Sequence, residues 1–295
     1  NVGKFAFANC NLLSFTLPSY VKLYDENEAC LVYGLLQNNK NLTSLTLSNG
    51  ITVQDLFIAN YPSNLTQATI NGGKRIDNQF RNLTSLQKVE LIDVTHIGNN
   101  AFDGCSNNNL ISITIPASVK EIGDNAFANC LGLTKFLIFS NSVLETVGKN
   151  VFAGDSRLEQ VIFPSTVTNT SWGGIFNGCE NLTATNIPLT VTEIGDNTFN
   201  NCYKLKTIYI PDNIETIGNS AFNNCYEMIF ENSNFEKLTH IGENAFNSCD
   251  KLVSVKAENI AQIGENAFAN CNNMKEITVL DLAPSDYISN VTNIA

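Results

Sequence analysis

The chain has 295 residues, of which 43% are apolar and 15% are charged, and it carries a formal net charge of −11 with a pI of about 4.6. Such an acidic chain is a poor partner for nucleic acid or for an anionic membrane surface, because both bind basic patches. It contains no run of 18 apolar residues, so no membrane insertion is expected.

A recurring Phe sets the organisation of the chain. Twelve anchor positions follow one another at spacings of 21 to 29 residues, and eleven of them are Phe. Repetition with this period predicts a solenoid, in which each coil buries its apolar residues against its neighbours. The anchors are Phe7, Leu36, Phe57, Phe80, Phe102, Phe127, Phe152, Phe176, Phe199, Phe222, Phe246 and Phe268.

The repeats in residues 1–96 are irregular. The opening NVGKFAFANC lacks the basic and apolar regions of a signal peptide,. The NGGK sequence at 71–74 lacks the strand and helix that flank a phosphate-binding loop, so we interpret it as a turn between repeats,. Because the chain begins inside a repeat without a polar cap, we expect it to be a fragment of a longer protein.

The repeats in residues 97–280 are regular. Gly stands four residues before the anchor, where the backbone needs positive φ or close approach. Asn stands two before it, where a left-handed conformation is tolerated. The Ala-Phe-x-x-Cys segment is predicted to form a helical turn or irregular coil. An alternating phrase, L-x-x-I-x-I, then predicts a half-buried strand that Pro often ends. Across the whole chain, the Cys positions in this column are Cys10, Cys105, Cys130, Cys179, Cys202, Cys225, Cys249 and Cys271.

The complete phrase IG-x-x-AF-x-x-C-x-x-L-x-x-I-x-IP-x-x-V, matched closely by residues 194–214, resembles the BspA-like, or Treponema pallidum-type, leucine-rich repeats. The resemblance covers residues 1–280. It implies an α/β leucine-rich repeat solenoid of about twelve coils, with a parallel β-sheet on the concave face and short turns or helical turns opposite. Residues 281–295 lack the anchor and are expected to form a C-terminal cap or a tether.

The nine Cys residues have three possible interpretations. Eight lie in one repeat column, so their side chains point the same way, which fits disulfide geometry poorly. A ladder of buried free thiols is favoured, while disulfides or a metal site stay open as alternatives. Asn39, Asn60 and Asp155 occupy the same column, and Cys30 stands outside it.

The sequence offers no catalytic constellation. Its two His residues, His96 and His240, lie six residues before an anchor in a column that elsewhere holds Glu, Thr and Gln. This column is interpreted as solvated. Two distant His residues without clustered carboxylates exclude most zinc and triad chemistry, so we expect no enzyme activity, cofactor or metal.

Two other features have alternative interpretations. The single Trp, Trp172, is either packed in the core or exposed for a ligand. Six N-x-S/T sequons are explained by the repeat pattern, and become candidate glycosylation sites if the source secretes the protein through an endoplasmic reticulum. The sequons begin at Asn41, Asn64, Asn82, Asn169, Asn181 and Asn290.

The strand phrase also predicts a binding face. Its Ile residues point inward, so the flanking residues point out. Most of this outward set is small and polar, but Leu137, Ile162 and Tyr209 form an apolar strip. Either curvature or a loop covers the strip, or it contacts a ligand. The predicted face comprises Lys135, Leu137, Gln160, Ile162, Asn186, Thr207 and Tyr209; the remaining outward residues are Ser112, Thr114 and Ala184.

The function expected from this sequence is binding without catalysis. The resemblance implies a cell-surface or secreted protein that adheres to a host or matrix protein or glycan. An extended face of short polar side chains also suits macromolecular contact. Two alternatives stay open: an accessory region of a larger enzyme, and a structural spacer.

Overall fold

The structure, a computed structural model, describes residues 2–18, 34–48, 56, 62–72, 75–169, 171–231 and 235–279. The chain forms two compact units, residues 1–144 (unit 1) and 145–295 (unit 2). The predicted cap or tether at 281–295 lies outside the described residues, as do Cys30, Phe57, Asn60 and the second half of NGGK. The domain boundaries predicted at residues 96 and 280 stay predictions.

Unit 1 contains two kinds of short strand. The front-wall strands come from the L-x-x-I-x-I phrase, whose alternate apolar side chains turn inward. The side-wall strands, β4, β6 and β8, are two residues long and end in a buried Ile. In chain order the strands are β1 (Ser14–Thr16), β2 (Ser44–Ser48), β3 (Gln67–Asn71), β4 (Arg75–Ile76), β5 (Lys88–Ile92), β6 (His96–Ile97), β7 (Ser112–Ile115), β8 (Glu121–Ile122) and β9 (Lys135–Ile138).

Unit 2 continues the same two kinds of strand in strict alternation, with the side-wall strands carrying the even numbers. Its strands are β10 (Thr146–Val147), β11 (Gln160–Val161), β12 (Ser171–Trp172), β13 (Ala184–Thr185), β14 (Glu193–Ile194), β15 (Thr207–Ile208), β16 (Thr216–Ile217), β17 (Ile229–Phe230), β18 (His240–Ile241), β19 (Ser254–Lys256), β20 (Gln262–Ile263) and β21 (Glu276–Thr278).

The strand pairings within each unit are parallel. In unit 1, β1, β2, β3 and β5 form one front-wall sheet, β7 pairs with β9, and β6 pairs with β4 and β8. In unit 2, β12, β14, β16, β18 and β20 form one side-wall sheet, and the front wall contains the pairs β11–β13, β15–β17 and β19–β21. Equivalent residues of neighbouring coils lie opposite each other, as Ile194 does to Ile217. The predicted parallel-sheet solenoid is therefore confirmed.

Two details of the predicted architecture are wrong. Within the described residues, nine coils rather than twelve carry both a front-wall and a side-wall strand, since β1, β2 and β21 have no side-wall strand described after them. The Ile-Gly phrase does not occur between Gly3 and Ile97, and β4, the side-wall strand described in this interval, is followed by Asp77 in place of Gly. The predicted helical turns are also rare: among the described residues Leu56 is helical and Asn78–Phe80 is a 3-10 turn, whereas the other described anchor segments are turns.

Left-handed residues on both sides of the anchor explain why the regular repeats form turns at this position. Asn125 and Asn129, two residues before and after Phe127, have φ of 53° and 58°. A helix requires negative φ at every residue, so each such residue interrupts it. The left-handed residue that follows the anchor by two occupies the third position of a β-turn, where type II requires positive φ. The turn is closed by a hydrogen bond from the Cys amide to the Phe carbonyl, as from Cys225 to Phe222 at 3.1 Å.

The anchors form the centre of the core. Phe102 stacks on Phe80 at 5.1 Å and on Phe127 at 5.3 Å in unit 1. In unit 2 the stack includes Phe199 and Phe222, whose ring centroids are 5.0 Å apart. These side chains are fully buried. Such near-parallel stacking follows from the repeat, because identical residues of successive coils occupy the same position one strand spacing apart.

The Gly column is explained by close approach of successive coils. A Cβ on Gly218 would lie 2.7 Å from the amide nitrogen of Asp196 in the preceding coil. The Gly218 amide donates to the Ile194 carbonyl at 2.7 Å. The sequence left two reasons for Gly open, positive φ and close approach of the backbone. At this position close approach between coils is the reason.

Candidate ligand-binding face

The predicted binding residues of unit 1 are exposed on the front wall. Lys135 and Leu137 alternate along β9 with the buried Phe136, and Leu137 is 53% exposed. In the parallel ladder Leu137 lies opposite Thr114, and Lys135 lies opposite Ser112, on the preceding strand. The expected outward orientation is confirmed, whereas a binding role for these residues stays a prediction.

The predicted residues of unit 2 follow the same alternation. Gln160 and Ile162 flank the buried Val161, and Thr207 and Tyr209 flank the buried Ile208. Ile162 is 50% exposed and Tyr209 is 40% exposed. Among the residues of unit 2 that the structure describes, no loop covers these two apolar side chains, so this part of the chain does not shield them.

Asn186 differs from its neighbours because its side chain makes structural hydrogen bonds within the front wall. Its side-chain oxygen accepts from the Phe163 amide at 2.7 Å, and its side-chain nitrogen donates to the Phe163 carbonyl at 2.9 Å. Both polar ends are therefore used between two coils. Asn186 fixes the front wall where β11 ends rather than offering a free amide to a ligand.

Tyr209 is oriented by an acidic neighbour. Its hydroxyl donates to Asp212 Oδ1 at 3.4 Å. Partial desolvation, the Asp212 charge and this hydrogen bond raise the pKa of Tyr209 above its ordinary value,. The phenol stays protonated at neutral pH and can act as a donor on the exposed face.

Sequence reasoning missed exposed apolar residues beside the predicted face. Phe139 is 52% exposed, Val143 of the same loop is exposed, and in unit 2 Ile229 is exposed opposite Thr207. Phe139 stands directly after β9, at the position where Pro116 follows β7 and where several later coils also have Pro. The replacement of that Pro by an aromatic residue was the available signal.

The cysteine column forms a ladder of thiols within each unit. Apart from Cys10, which donates to the Ala8 carbonyl, each described thiol donates to the carbonyl of the anchor in the preceding coil, as Cys130 does to Phe102 at 3.3 Å and Cys225 to Phe199 at 3.1 Å. The eight described cysteines are free, with Cys10 exposed. Burial raises the pKa of the Cys225 thiol well above its ordinary value and that of the partly exposed Cys271 to about 11.

A polar residue can replace the thiol in this ladder. Asn39 donates from its side chain to the Phe7 carbonyl at 2.7 Å, the same bond that Cys makes in later coils. It also accepts from the Leu12 amide at 3.2 Å. The column therefore selects a donor aimed at the anchor carbonyl of the preceding coil. Its chemistry is structural, since buried protonated thiols are poor nucleophiles.

The remaining sequence candidates have structural positions. His96 and His240 lie on the side wall, each with Nδ1 beside the hydroxyl of the preceding Thr, Thr95 and Thr239, at 2.9 and 2.7 Å. Trp172 is 1% exposed and packs edge-on against Phe163, with ring centroids 5.0 Å apart. Of the two alternatives for Trp172, the structure therefore shows the one packed in the core. Across the parts of the chain that the structure describes, no group of three or more His, Cys, Asp or Glu could hold a metal.

The sequons differ in how far their amides are available. Asn169 exchanges two hydrogen bonds with the Val147 backbone, and Asn181 donates to the Ser156 carbonyl. Asn82 is exposed and has a φ of 59°. The repeat pattern therefore gives at least two of these side chains a structural use.

The comparisons with known proteins agree with this fold. The family model described as BspA type leucine rich repeat region (6 copies) matches residues 1–108, 74–173 and 172–287. No curated protein sequence matches the chain. No helix in the described ranges is long and apolar enough to span a membrane.

Solved structures of bacterial proteins are similar over most of the chain. A leucine-rich repeat protein from Bacteroides ovatus is 21% identical, with a TM-score of 0.50 over 90% of this chain and 86% of that one. A leucine rich cell surface protein from Faecalibacterium prausnitzii is 21% identical, with a TM-score of 0.51 over 91% and 88%. A Treponema pallidum leucine rich repeat protein is 19% identical, with a TM-score of 0.41 over 78% and 82%.

Proposed function

The chain belongs to the BspA-type leucine-rich repeat family, and on that premise we propose that it is a non-enzymatic module that binds another protein. The binding surface is the front wall. The ligand is a host or matrix protein at the cell surface, where the module acts in adhesion. A glycan is the alternative ligand.

The observation that carries this proposal is the exposure of Leu137 on β9 and of Ile162 and Tyr209 directly after β11 and β15. The strand residues beside these side chains are fixed by parallel pairing, so little conformational entropy is lost when a partner contacts the face,. Large apolar and aromatic side chains on an exposed face are typical anchors of protein interfaces. Lys135, Gln160 and Thr207 supply the polar groups at the rim, while Asn186 stabilises the wall beneath.

The test compares binding of the wild-type protein and a triple variant, Leu137→Ser, Ile162→Ser and Tyr209→Ser. Labelled protein is applied to host cells, to a panel of immobilised matrix proteins and to a glycan array. The triple variant should lose binding while its melting temperature stays nearly unchanged, because exposed side chains contribute little to stability. A Leu189→Ser variant is the matched control, since Leu189 is exposed but lies four residues after β13 and is not part of the predicted face.

The outcomes separate the ligand classes. Binding to a matrix protein that is lost in the triple variant supports the proposal. If the Leu189→Ser variant keeps this binding, the loss is not a general effect of removing exposed apolar side chains. Binding confined to the glycan array favours the alternative ligand. A folded triple variant that binds every surface as well as wild type would remove this face from consideration.

A further inference from the structure

Three exposed apolar residues of unit 1 form a surface that we call the 137–143 patch: Leu137, Phe139 and Val143. Their side chains are 53%, 52% and 43% exposed. Leu137 lies on β9, and Phe139 follows the last residue of that strand. The patch is therefore made by one strand and the loop that follows it.

Hydrogen bonds hold the loop of the patch in place. The Ser142 amide donates to the Phe139 carbonyl at 3.0 Å, which closes a tight turn between the two apolar side chains. The Val143 amide donates to the Ala117 carbonyl of the preceding coil at 3.1 Å. Ser142 is buried and its hydroxyl accepts from the Leu144 amide at 3.2 Å. With its backbone fixed, the loop displays Phe139 and Val143 instead of burying them.

The charged residue on the strand of the patch is basic. Segments 110–120 and 131–144 contain Lys120 and Lys135 but no Asp or Glu, and Glu121 and Glu145 follow these segments directly. Lys135 is exposed on the same face of β9 as Leu137. Among the described residues its ammonium group makes no ion pair. An apolar surface with an unpaired cation at its edge is complementary to an apolar anchor beside a carboxylate.

We propose that the 137–143 patch docks a protein segment that places a large apolar side chain on Leu137, Phe139 and Val143 and a carboxylate opposite Lys135. This inference rests on the proposed function and adds the chemistry of the partner. An anionic membrane and a second copy of the chain are disfavoured as occupants, because a net charge of −11 repels both,.

The probe is a library of random 12-residue peptides displayed on phage and selected on immobilised wild-type protein. Enriched peptides are synthesised, and their Kd values are measured by fluorescence anisotropy. We expect them to carry a large apolar residue and at least one Asp or Glu. Phe139→Ser should weaken binding about tenfold, the effect of losing one central apolar anchor.

A charge exchange tests the carboxylate. Lys135→Glu should weaken binding severalfold, more strongly at low salt, and changing the peptide carboxylate to Lys should restore part of that loss. Leu189→Ser is again the control and should bind as wild type. The inference would be overturned if the enriched peptides lack carboxylates or bind Phe139→Ser as tightly as wild type. It would also be overturned if the selection enriches nothing over an empty surface.

Two further measurements exclude the other occupants. Cosedimentation with phosphatidylglycerol–phosphatidylcholine vesicles that is lost in Phe139→Ser would assign the patch to lipid. Concentration-dependent dimerisation lost in the same variant would assign it to a second copy. Either result contradicts the inference.

The proposed function can stand or fail separately. An Ile162→Ser, Tyr209→Ser double variant leaves the 137–143 patch intact. If Phe139→Ser keeps the cell and matrix binding that this double variant loses, the inference fails and the proposed function stands. If cells and matrix proteins are bound by neither wild type nor variants, the proposed function itself fails.

Discussion

The thiol of Cys225 donates to the backbone carbonyl of Phe199 in the preceding coil, with sulfur and oxygen 3.1 Å apart. The bond joins the two most regular columns of the repeat, because Phe199 is an anchor and Cys225 follows the next anchor, Phe222. It requires a protonated thiol, since a thiolate has no proton to donate. The protonation state of the cysteine column is therefore coupled to the contact between coils.

The first prediction concerns the loss of stability at alkaline pH. The folded pKa of Cys225 is raised above its ordinary value of 9.0 by burial. Below pH 9 both folded and unfolded thiols are protonated, and the full stability is present. Above pH 9 the unfolded thiol loses its proton while the folded one keeps it, so stability falls by about 1.4 kcal/mol per pH unit for each such thiol.

Cys225→Ser isolates this contribution. The Ser hydroxyl can still donate to the Phe199 carbonyl but does not titrate in this range. Urea unfolding between pH 8 and 10.5 should therefore give a free energy of unfolding that falls less steeply for the variant, by about 1.4 kcal/mol per pH unit above pH 9. Parallel slopes for variant and wild type would show that this thiol is not buried in its neutral form.

The second prediction is a thiol count. Denatured without reductant, the protein should titrate close to nine free thiols, the number in the sequence. In the native protein Cys10 should react quickly because it is exposed, whereas the six buried thiols should react only as fast as the structure opens,. A denatured count of one would mean four disulfides and would contradict the ladder.

Sequence reasoning identified the periodic part of this fold and missed its departures from the period. The anchor column, the alternating strands and the thiol column each recur at fixed positions, so spacing alone specifies them. The left-handed conformation two residues after the anchor was not predicted, because residues of different types, Asn129, Gly154 and Ser248, adopt it in different repeats. The sequence left a helical turn or irregular coil open for this segment, since the residue types Ala and Phe do not specify φ.

The candidate site was predicted in part for the same reason. Alternation predicts which side chains of a strand face outward, and it placed Leu137, Ile162 and Tyr209 correctly. Phe139 stands in the column that holds Pro in other coils, directly after the strand phrase, so the alternation of the strand does not include it. Asn186 was assigned to the face although its amide bonds to the Phe163 backbone, a contact between coils that one strand cannot reveal.

The third prediction tests the anchor stack. Phe222 is fully buried, with ring centroids 5.0 Å from Phe199 and 5.3 Å from Phe246. Phe222→Ala should lower the free energy of unfolding by about 3–5 kcal/mol, because it removes a large buried side chain and leaves a cavity. Phe139→Ala is the control, since that ring is exposed, and should change stability by less than about 0.5 kcal/mol. Similar effects of the two changes in urea unfolding would contradict a buried anchor column.

The last prediction concerns glycine and the spacing of coils. Gly218 and Gly3 occupy the same position of the repeat, but a Cβ on Gly218 would lie 2.7 Å from the Asp196 nitrogen and 2.8 Å from the Gly195 carbonyl carbon, whereas one on Gly3 would have nothing within 4 Å. The nearest atom is a side-chain oxygen, Asp196 Oδ1 at 2.5 Å, but the next two are these backbone atoms, which can move only if the coils separate. Gly218→Ala should therefore lower the free energy of unfolding by about 1–3 kcal/mol, the usual cost of overpacking. Gly3→Ala should change it by less than about 1 kcal/mol, and in the stabilising direction, because Ala restricts the unfolded chain. Equal effects of the two substitutions, measured in the same urea titration, would mean that backbone conformation rather than contact between coils selects Gly in this column.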